Sequence, residues 1–489
     1  MNIKYFIPLF ALILGCNSSY GVNRTIEKKG SANRTLTETT ERSGTIKLKS
    51  EESTFLYVTK ATQMIGDLNK QGGDYFEWRG NGEIDWTINT ISAEKCDLYM
   101  TVDIPEESNN SEMVFTSGSH LYKFTLNTTS GPYGKNDKNM QRIKVLSELQ
   151  LIKGDQVVGL KSTGSASGKR LINIRSIELV PLSARKSIEK ENNKAKASRA
   201  STKWLTKAGY GVMFHWTSQS VNPDGSNKPY EQAVNDFDVQ KFTSMVEETG
   251  AGYVIFTIGH AEPYCPAPIK SWEKFHPGKI TKRDLIAEIS DQLKTKNIRL
   301  ICYMATHIVA KYQKVNSTEF MKINTEILQE MGERYKDKIA GYWFDGWYQC
   351  FEEYPDVSFE SFFKATKTGN NDRIIALNSW IYPTVTPWQE YLAGEVARPI
   401  DAPENGFMKG GPAPDLPYHA LLTMEPYWVQ EKAEIPTPQL NYSELSQYIK
   451  NCMTNGGAVT INMGIYQNGH VGDKALQVMK EVRNQIRFK

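Results

Sequence analysis

Six short stretches of the 489-residue chain set polar or ionisable side chains directly behind apolar runs. They are His215-Trp216, Gly259-His260-Ala261-Glu262, Thr306-His307, Asp345-Gly346-Trp347, Asn378-Ser379-Trp380 and Glu425-Pro426-Tyr427-Trp428. A charged group behind a buried run is costly unless it is paired or used. Asp345, inside Gly-Tyr-Trp-Phe-Asp-Gly-Trp, is the sharpest case. A helix-capping aspartate is the bland alternative. No apolar helix start is evident before Phe359, so a chemical role is the better reading. A carboxylate facing a sugar-sized pocket suggests glycoside hydrolysis. That chemistry needs a second carboxyl group, about 5–5.5 Å away for retention or about 6.5–9.5 Å for inversion. Trp347, Trp380 and Trp428 are candidates to stack on sugar rings, with rim or core packing the competing role. His307 and His419 are pocket candidates, with a structural, hydrogen-bonded histidine as the alternative.

These stretches need a scaffold that gathers them at one edge. After residue 204, apolar runs of about six residues alternate with longer amphipathic stretches, the rhythm of βα units. The runs are Tyr210–His215, Tyr253–Ile258, Arg299–Met304, Ala340–Phe344, Ile374–Asn378, a weak one near Tyr391, Leu421–Met424 and Ala458–Asn462. Eight strands in this length predict a (β/α)8 TIM-type barrel over 204–489, whose strand ends carry the chemistry. An open doubly wound sheet would want a glycine-rich phosphate turn after its first strand, and Trp216-Thr217-Ser218 is not one. Ahead of the barrel, residues 46–182 show short alternating runs broken by Gly and Asn, which predict an all-β sandwich. Residues 183–203 are charged and read as a linker, in part helical.

Lys and Arg number 58 and Asp and Glu 55, a net charge of +3. That balance gives no electrostatic case for nucleic acid. The six cysteines show no metal-ligand spacing with histidine, so neither a metal nor another cofactor is expected. At the N-terminus, Lys4 precedes a short apolar run, Tyr5–Leu14, followed by Gly15-Cys16. The run is too short to span a bilayer and reads as a signal peptide. Its end resembles a bacterial lipobox, which implies lipidation at Cys16. The expectation is a bacterial lipoprotein, exported to the periplasm or outer-membrane surface and touching the membrane through that lipid alone. Residues 1–16 are then the signal and 17–45 a polar tether.

From about residue 205 to 489 the chain resembles the α-L-fucosidase family of glycoside hydrolases, family 29. The resemblance rests on GYGVMFHW, FDVQKFTSMVEETGAGYVIFTIGH, KRDLIAEISDQLKTKNIRLICY, GYWFDGW and CMTNGGAVTINMGIYQNGHV, in that order and spacing. It implies a retaining, exo-acting glycosidase acting on terminal sugars of glycans, with Asp345 as nucleophile. It implies sugar contacts from His215 and Trp216, and makes His260 the first member of a His-His pair. The second member is Ala261 in this chain, and Glu262-Pro263-Tyr264 replaces the family's Asp-Gly-Phe. A related sugar such as L-galactose, or a catalytically inactive glycan-binding lipoprotein, is therefore the alternative. The family's C-terminal β-domain is expected to be absent. By position the resemblance makes Glu395 the first choice for acid/base and Glu390 the second, with Glu262 and Glu425 also chemically suitable. The expected sugar-binding set is His215, Trp216, His260, Glu262, His307, Trp347, Asn378 and Trp428. Residues 74–182 resemble a carbohydrate-binding module, with Tyr75, Phe76, Trp78, Trp86 and Tyr133 as a stacking platform. A purely structural unit is the competing reading.

Overall fold

The computed structural model describes residues 44–72, 74–129, 140–163, 169–260, 262–306, 315–384, 386–395 and 415–488. Cys16, His307 and Tyr133 lie outside the described residues, as does the expected signal segment. The chain divides into two compact units: residues 1–128 with 144–182, and 129–143 with 183–489.

The first unit is β-rich. Ten strands hydrogen-bond into one continuous network rather than two separate sheets. The 15-residue strand Phe76–Thr90 explains this, because it changes partners midway. Its start, Phe76–Arg79, pairs with Arg170–Ile174, and Gly82–Thr90 pairs with Gly154–Ser162. Strands that pass from one layer to another in this way join sheets at a corner. Along this strand buried and partly buried side chains alternate at both ends. Trp78 and Trp86 fall on the buried side with no exposed surface, and Tyr75 and Phe76 are buried as well. These four rings therefore build the core and cannot form the expected stacking platform.

The second unit holds seven parallel strands: Tyr210–Phe214, Tyr253–Gly259, Arg299–Ala305, Gly341–Asp345, Ile374–Leu377, His419–Thr423 and Ala458–Asn462. In space they run fifth, fourth, third, second, first, seventh, sixth. Side chains of a strand alternate between two faces. One set, including Val212, Phe214, Val254, Leu300, Cys302, Tyr342 and Phe344, packs in the large cluster shared with the helices. The other set includes Met213, Tyr253, Ile255, Ile301, Tyr303, Ala305, Trp343, Ala376, Leu421 and Ala458, and forms a separate inner cluster. An inner cluster fed by every strand of the sheet is what a curved, barrel-like sheet produces.

The gap between the fifth and sixth strands is filled by 390–395, where a weak strand near Tyr391 was expected. No regular strand forms there. Instead Glu390 N–H donates to the Ile375 carbonyl at 2.9 Å, Leu392 N–H to Pro417 at 3.1 Å, and Leu421 N–H to Gly394 at 2.7 Å. Glu395 bridges Leu421 in parallel, and Tyr391 and Ala393 join the inner cluster. Gly394 has φ +71°, and a Cβ there would lie 1.8 Å from the His419 carbonyl oxygen, so only glycine fits. Side chains complete the seam. Leu377 N–H donates to Gln389 Oε1 at 3.2 Å, and Ile375 N–H to Glu390 Oε2 at 2.8 Å. Ala200 N–H and Lys367 Nζ donate to Glu390 Oε1. Glu390, a runner-up for acid/base, is thus a buried structural anchor.

The helices fall close to their expected places, Val239–Thr249 and Ser317–Tyr335 among them. The charged stretch 183–203 is not a free linker. It forms the helix Arg185–Ser198, Glu191 accepts from Trp388 Nε1 at 2.8 Å, and Arg199 pairs with Asp415 at 2.9 Å. Its charges have partners in the second unit, which is why its high polarity does not leave it loose.

Replacing Glu390 by Ala would strand a buried lysine and two buried N–H groups. Breaking such a pair costs about 3–5 kcal/mol. We expect Glu390→Ala to lower the stability of the second unit by that amount in urea unfolding. The double change Glu390→Met/Lys367→Met should recover the part due to the unpaired lysine, leaving that of the Ala200 and Ile375 N–H groups.

Candidate active site

Inward-facing positions at the C-terminal ends of the strands converge. Strand alternation sends Met213 inward, and His215 two residues on shares that direction. The same step takes Trp343 to Asp345, Ala376 to Asn378, Ala393 to Glu395 and Thr460 to Asn462. The second strand needs one irregularity. Its register shifts between Thr257 and Gly259, so Thr257 pairs with Tyr303 and Gly259 with Met304. This bulge brings His260, not Gly259, level with inward-facing Ala305. A Cβ on Gly259 would sit 2.6 Å from the Trp272 ring, which explains the glycine.

Asp345 sits at the centre. The Tyr303 hydroxyl donates to its Oδ2 at 2.5 Å, and Gly346 N–H and Asn378 Nδ2 donate to its Oδ1 at 2.7 and 2.8 Å. Three donors aimed at one carboxylate favour its anion. A helix, Trp347–Glu353, does begin right after it, earlier than the sequence suggested. Its N-cap is Gly346, without a side-chain cap bond, so capping does not account for Asp345. Burial and the neighbouring Asp345 charge push the Tyr303 phenol well above its ordinary pKa, so it stays a hydrogen-bond donor.

Asn378 also donates through Nδ2 to Glu395 Oε2 at 2.6 Å. One amide nitrogen thus touches both acids. The amide cannot turn over, because its Oδ1 accepts from Trp380 N–H at 2.9 Å. Asp345 Oδ1 and Glu395 Oε2 lie at most about 5.4 Å apart, the 2.8 and 2.6 Å bonds laid end to end. Burial, and then the Asp345 charge, raise the Glu395 pKa to about 8. Both causes favour the protonated form of Glu395.

Five rings cluster beside Asp345. The His215 ring lies 4.9 Å from Tyr303, 5.3 Å from Trp428 and 5.5 Å from His260. Tyr303 in turn stacks on Trp343 at 5.4 Å. Burial lowers the His215 pKa to about 4, so the ring is neutral. Its Nδ1 bonds Asn462 Oδ1 at 2.7 Å. Asn462 is oriented by donating its Nδ2 to the Trp428 carbonyl at 3.1 Å. The proton therefore belongs on Nδ1, leaving Nε2 as an acceptor. The bridge between His215 and Val429 draws Trp428 to this wall.

The structure thus gathers His215, His260, Asp345, Asn378, Glu395 and Trp428. It removes two expected sugar contacts. Trp216 faces outward by strand alternation and is buried against Tyr230, Phe237 and Phe256. Trp347 is buried among Phe320, Phe351 and Phe362. Asn378 contacts both acids rather than being free for sugar. Glu262 is exposed, accepting from Ser218 Oγ at 3.0 Å. His419 opens its strand, away from the rim, with Nδ1 on the Ala393 carbonyl and Nε2 on Thr460 Oγ1. Glu425 is buried and accepts from Gly464 N–H at 2.8 Å, holding the turn after the last strand. Tyr303, Trp343 and Asn462 were not anticipated. The period-two step back from Ala305 and Asp345, and forward from Thr460, would have found them. Among the described residues, no group of three His, Cys, Asp or Glu converges as a metal site.

Two carboxyl groups sharing one amide at the C-terminal edge of a parallel sheet fit two-carboxyl glycoside chemistry. The comparison with known families narrows this class. The family model described as Alpha-L-fucosidase matches residues 228–487, more than half of the sequence, and the chain belongs to that family. Tissue alpha-L-fucosidase of Homo sapiens is 24% identical over 197 residues, covering 32% of this chain and 42% of that protein. The Bos taurus protein is 25% identical over 198 residues, with the same coverage. The chain spans less than half the length of these curated relatives. Among solved structures, a Thermotoga maritima alpha-fucosidase is 17% identical with a TM-score of 0.45, covering 60% of this chain and 75% of that one. Alpha-L-fucosidase AlfC from Lactobacillus casei, in complex with alpha-L-fucose product, is 15% identical with a TM-score of 0.42, covering 58% and 97%.

Asn462 as the keeper of the His215 tautomer is testable. Asn462→Asp places a carboxylate on Nδ1 and should raise the His215 pKa from about 4 to above its ordinary 6.5. Titration of the histidine ring signals by NMR reads this directly.

Proposed function

We propose that this protein is an exported, retaining, exo-acting glycosidase that removes a terminal α-L-fucose-type sugar from glycans. The observation that carries the reading is the pair Asp345 and Glu395 held on one Asn378 amide. Their facing oxygens, at most about 5.4 Å apart, are nearer than the separation that an intervening water needs, which favours direct attack. We read the sheet as a (β/α)8 barrel whose eighth wall position is the seam 390–395.

In the first step an Asp345 oxygen attacks the anomeric carbon while Glu395 gives its proton to the glycosidic oxygen. The C–O bond breaks, the alcohol leaves, and a glycosyl ester on Asp345 remains. In the second step the now ionised Glu395 takes a proton from water, and the water oxygen displaces Asp345. In this reading His215 Nε2 and His260 meet sugar hydroxyls, and Trp428 borders the ring. No step calls on a cofactor or metal. The first sixteen residues support export, with lipid attached at Cys16 as the only membrane contact.

A second sugar is favoured by one residue: Ala261 stands where the family resemblance places a histidine. Losing one hydroxyl ligand changes which sugar the pocket accepts. A panel of nitrophenyl α- and β-glycosides separates fucose from L-galactose and other hexoses. Turnover of none would support the inactive glycan-binding alternative.

Asp345→Asn should reduce kcat by about a thousandfold or more while the far-UV circular dichroism stays that of the parent. Wild-type turnover by this variant would refute the proposal. Glu395 must be protonated to act, and its pKa lies at about 8. Therefore kcat/KM should fall as pH rises through about 8, and separately in acid where Asp345 takes a proton, and Glu395→Gln should abolish the alkaline limb. NMR of the first-formed anomer should show retention.

A further inference from the structure

His419 is a buried histidine to which the reaction above assigns no part. It opens the sixth strand, two residues before inward-facing Leu421, and its ring meets that of Tyr391 edge-on at 5.4 Å. Its Nδ1 faces two carbonyl oxygens, Ala393 at 2.9 Å and Leu392 at 3.1 Å. A carbonyl can only accept, so the ring proton sits on Nδ1. Burial lowers the His419 pKa to about 4, so the ring carries no second proton and Nε2 is an acceptor. The Thr460 hydroxyl, 2.7 Å away, therefore donates to Nε2. With its one proton committed, Thr460 Oγ1 can only accept from the Tyr253 hydroxyl at 2.8 Å. All three side chains are buried. The donor direction is thus fixed from Tyr253 through Thr460 and His419, and it ends on the backbone of the seam.

The Ala393 carbonyl accepts a second bond, from Trp343 Nε1 at 3.0 Å. Two donors occupy both of its lone pairs. No regular strand forms at 390–395, so these side chains do for Ala393 what the N–H groups of a neighbouring strand do elsewhere. Gly394 follows, with φ +71° and no side chain to pack. Its carbonyl accepts from Leu421 N–H at 2.7 Å. Glu395 comes next, so its backbone is placed by the anchors on Ala393 and Gly394.

We propose that His419 is a positioning residue for Glu395: its Nδ1–H, aimed by Thr460, sets the Ala393 carbonyl and with it the place of the proton donor two residues on. His419 touches no substrate and exchanges no proton in the reaction. This role rests on the reading of Glu395 as the proton donor. A displaced acid harms a substrate in proportion to how much its leaving oxygen needs a proton. Loss of the His419 bond therefore carries a signature that a general loss of packing does not.

The test compares wild type with His419→Asn, whose amide nitrogen reaches the place of Nδ1 and keeps a donor there, and with His419→Gln, which reaches the place of Nε2 and loses that donor. The substrates are 2-chloro-4-nitrophenyl α-L-fucoside, whose leaving group departs without a proton, and phenyl α-L-fucoside, whose leaving oxygen is far more basic. The ratio of kcat/KM for phenyl to that for the activated fucoside should fall about tenfold or more in His419→Gln and stay within about threefold of wild type in His419→Asn. If His419→Gln does not fold, Thr460→Val, of nearly unchanged volume, takes its place with the same expected fall. An unchanged ratio, or an equal fall in the Gln and Asn variants, overturns the role. If wild type cleaves neither fucoside, the glycosidase reading fails separately. Carbon-13 NMR titration of the Glu395 carboxyl then decides: in His419→Gln its midpoint should move from about 8 toward the ordinary 4.5. An unmoved midpoint refutes the positioning.

Discussion

A single side-chain amide, shared between two acids, is the interaction on which the site depends. Two carboxyl groups this close repel when both are ionised, so one keeps its proton. Which one keeps it is settled by surroundings. Asp345 receives the Tyr303 hydroxyl and the Gly346 N–H in addition to the amide. Among the described residues Glu395 receives only the amide, and desolvation raises its pKa. The asymmetry of donors produces an anion on one side and an acid on the other. The same amide fixes the gap between them, so charge state and spacing share one cause.

That cause works only because the strands deliver their ends in phase. Four wall positions, His215, Asp345, Asn378 and Glu395, lie two steps beyond the inner-cluster residues Met213, Trp343, Ala376 and Ala393. The strands are rigid, buried on both faces and hydrogen-bonded on both sides. The tips they carry are therefore placed by the sheet as a whole rather than by local loops. The one place where phase would fail, the second strand, is corrected by its bulge at Gly259.

The sequence made the alternation of seven strands and most helices readable, because their apolar runs and amphipathic periods are long. Asp345 stood out because an acid beside Trp343-Phe344 has no bland explanation. Tyr303 and Asn462 were harder to see. Both look like ordinary strand residues, and only parity marks them as inward. Trp216 and Trp347 misled for the same reason in reverse: an aromatic near a rim residue can face the helices. The single network of the front unit was also hidden, since a strand that changes partners midway reads as one long alternating run. Glu390 and Glu395, five residues apart, differ in role through tertiary partners alone, Lys367 and the Ala200 N–H in one case and Asn378 in the other.

The two acids do not ride on equivalent supports. Asp345 ends a regular strand whose ladder runs on both sides. Glu395 ends a stretch that is fastened to one neighbour largely by the side chains of Gln389 and Glu390 and to the other by a few backbone bonds around Gly394. Lengthening or shortening the chain between Asn378 and Gln389 would leave the ladder of every regular strand as it is. The place of Asp345 is thereby set by the sheet itself, and that of Glu395 by the seam alone.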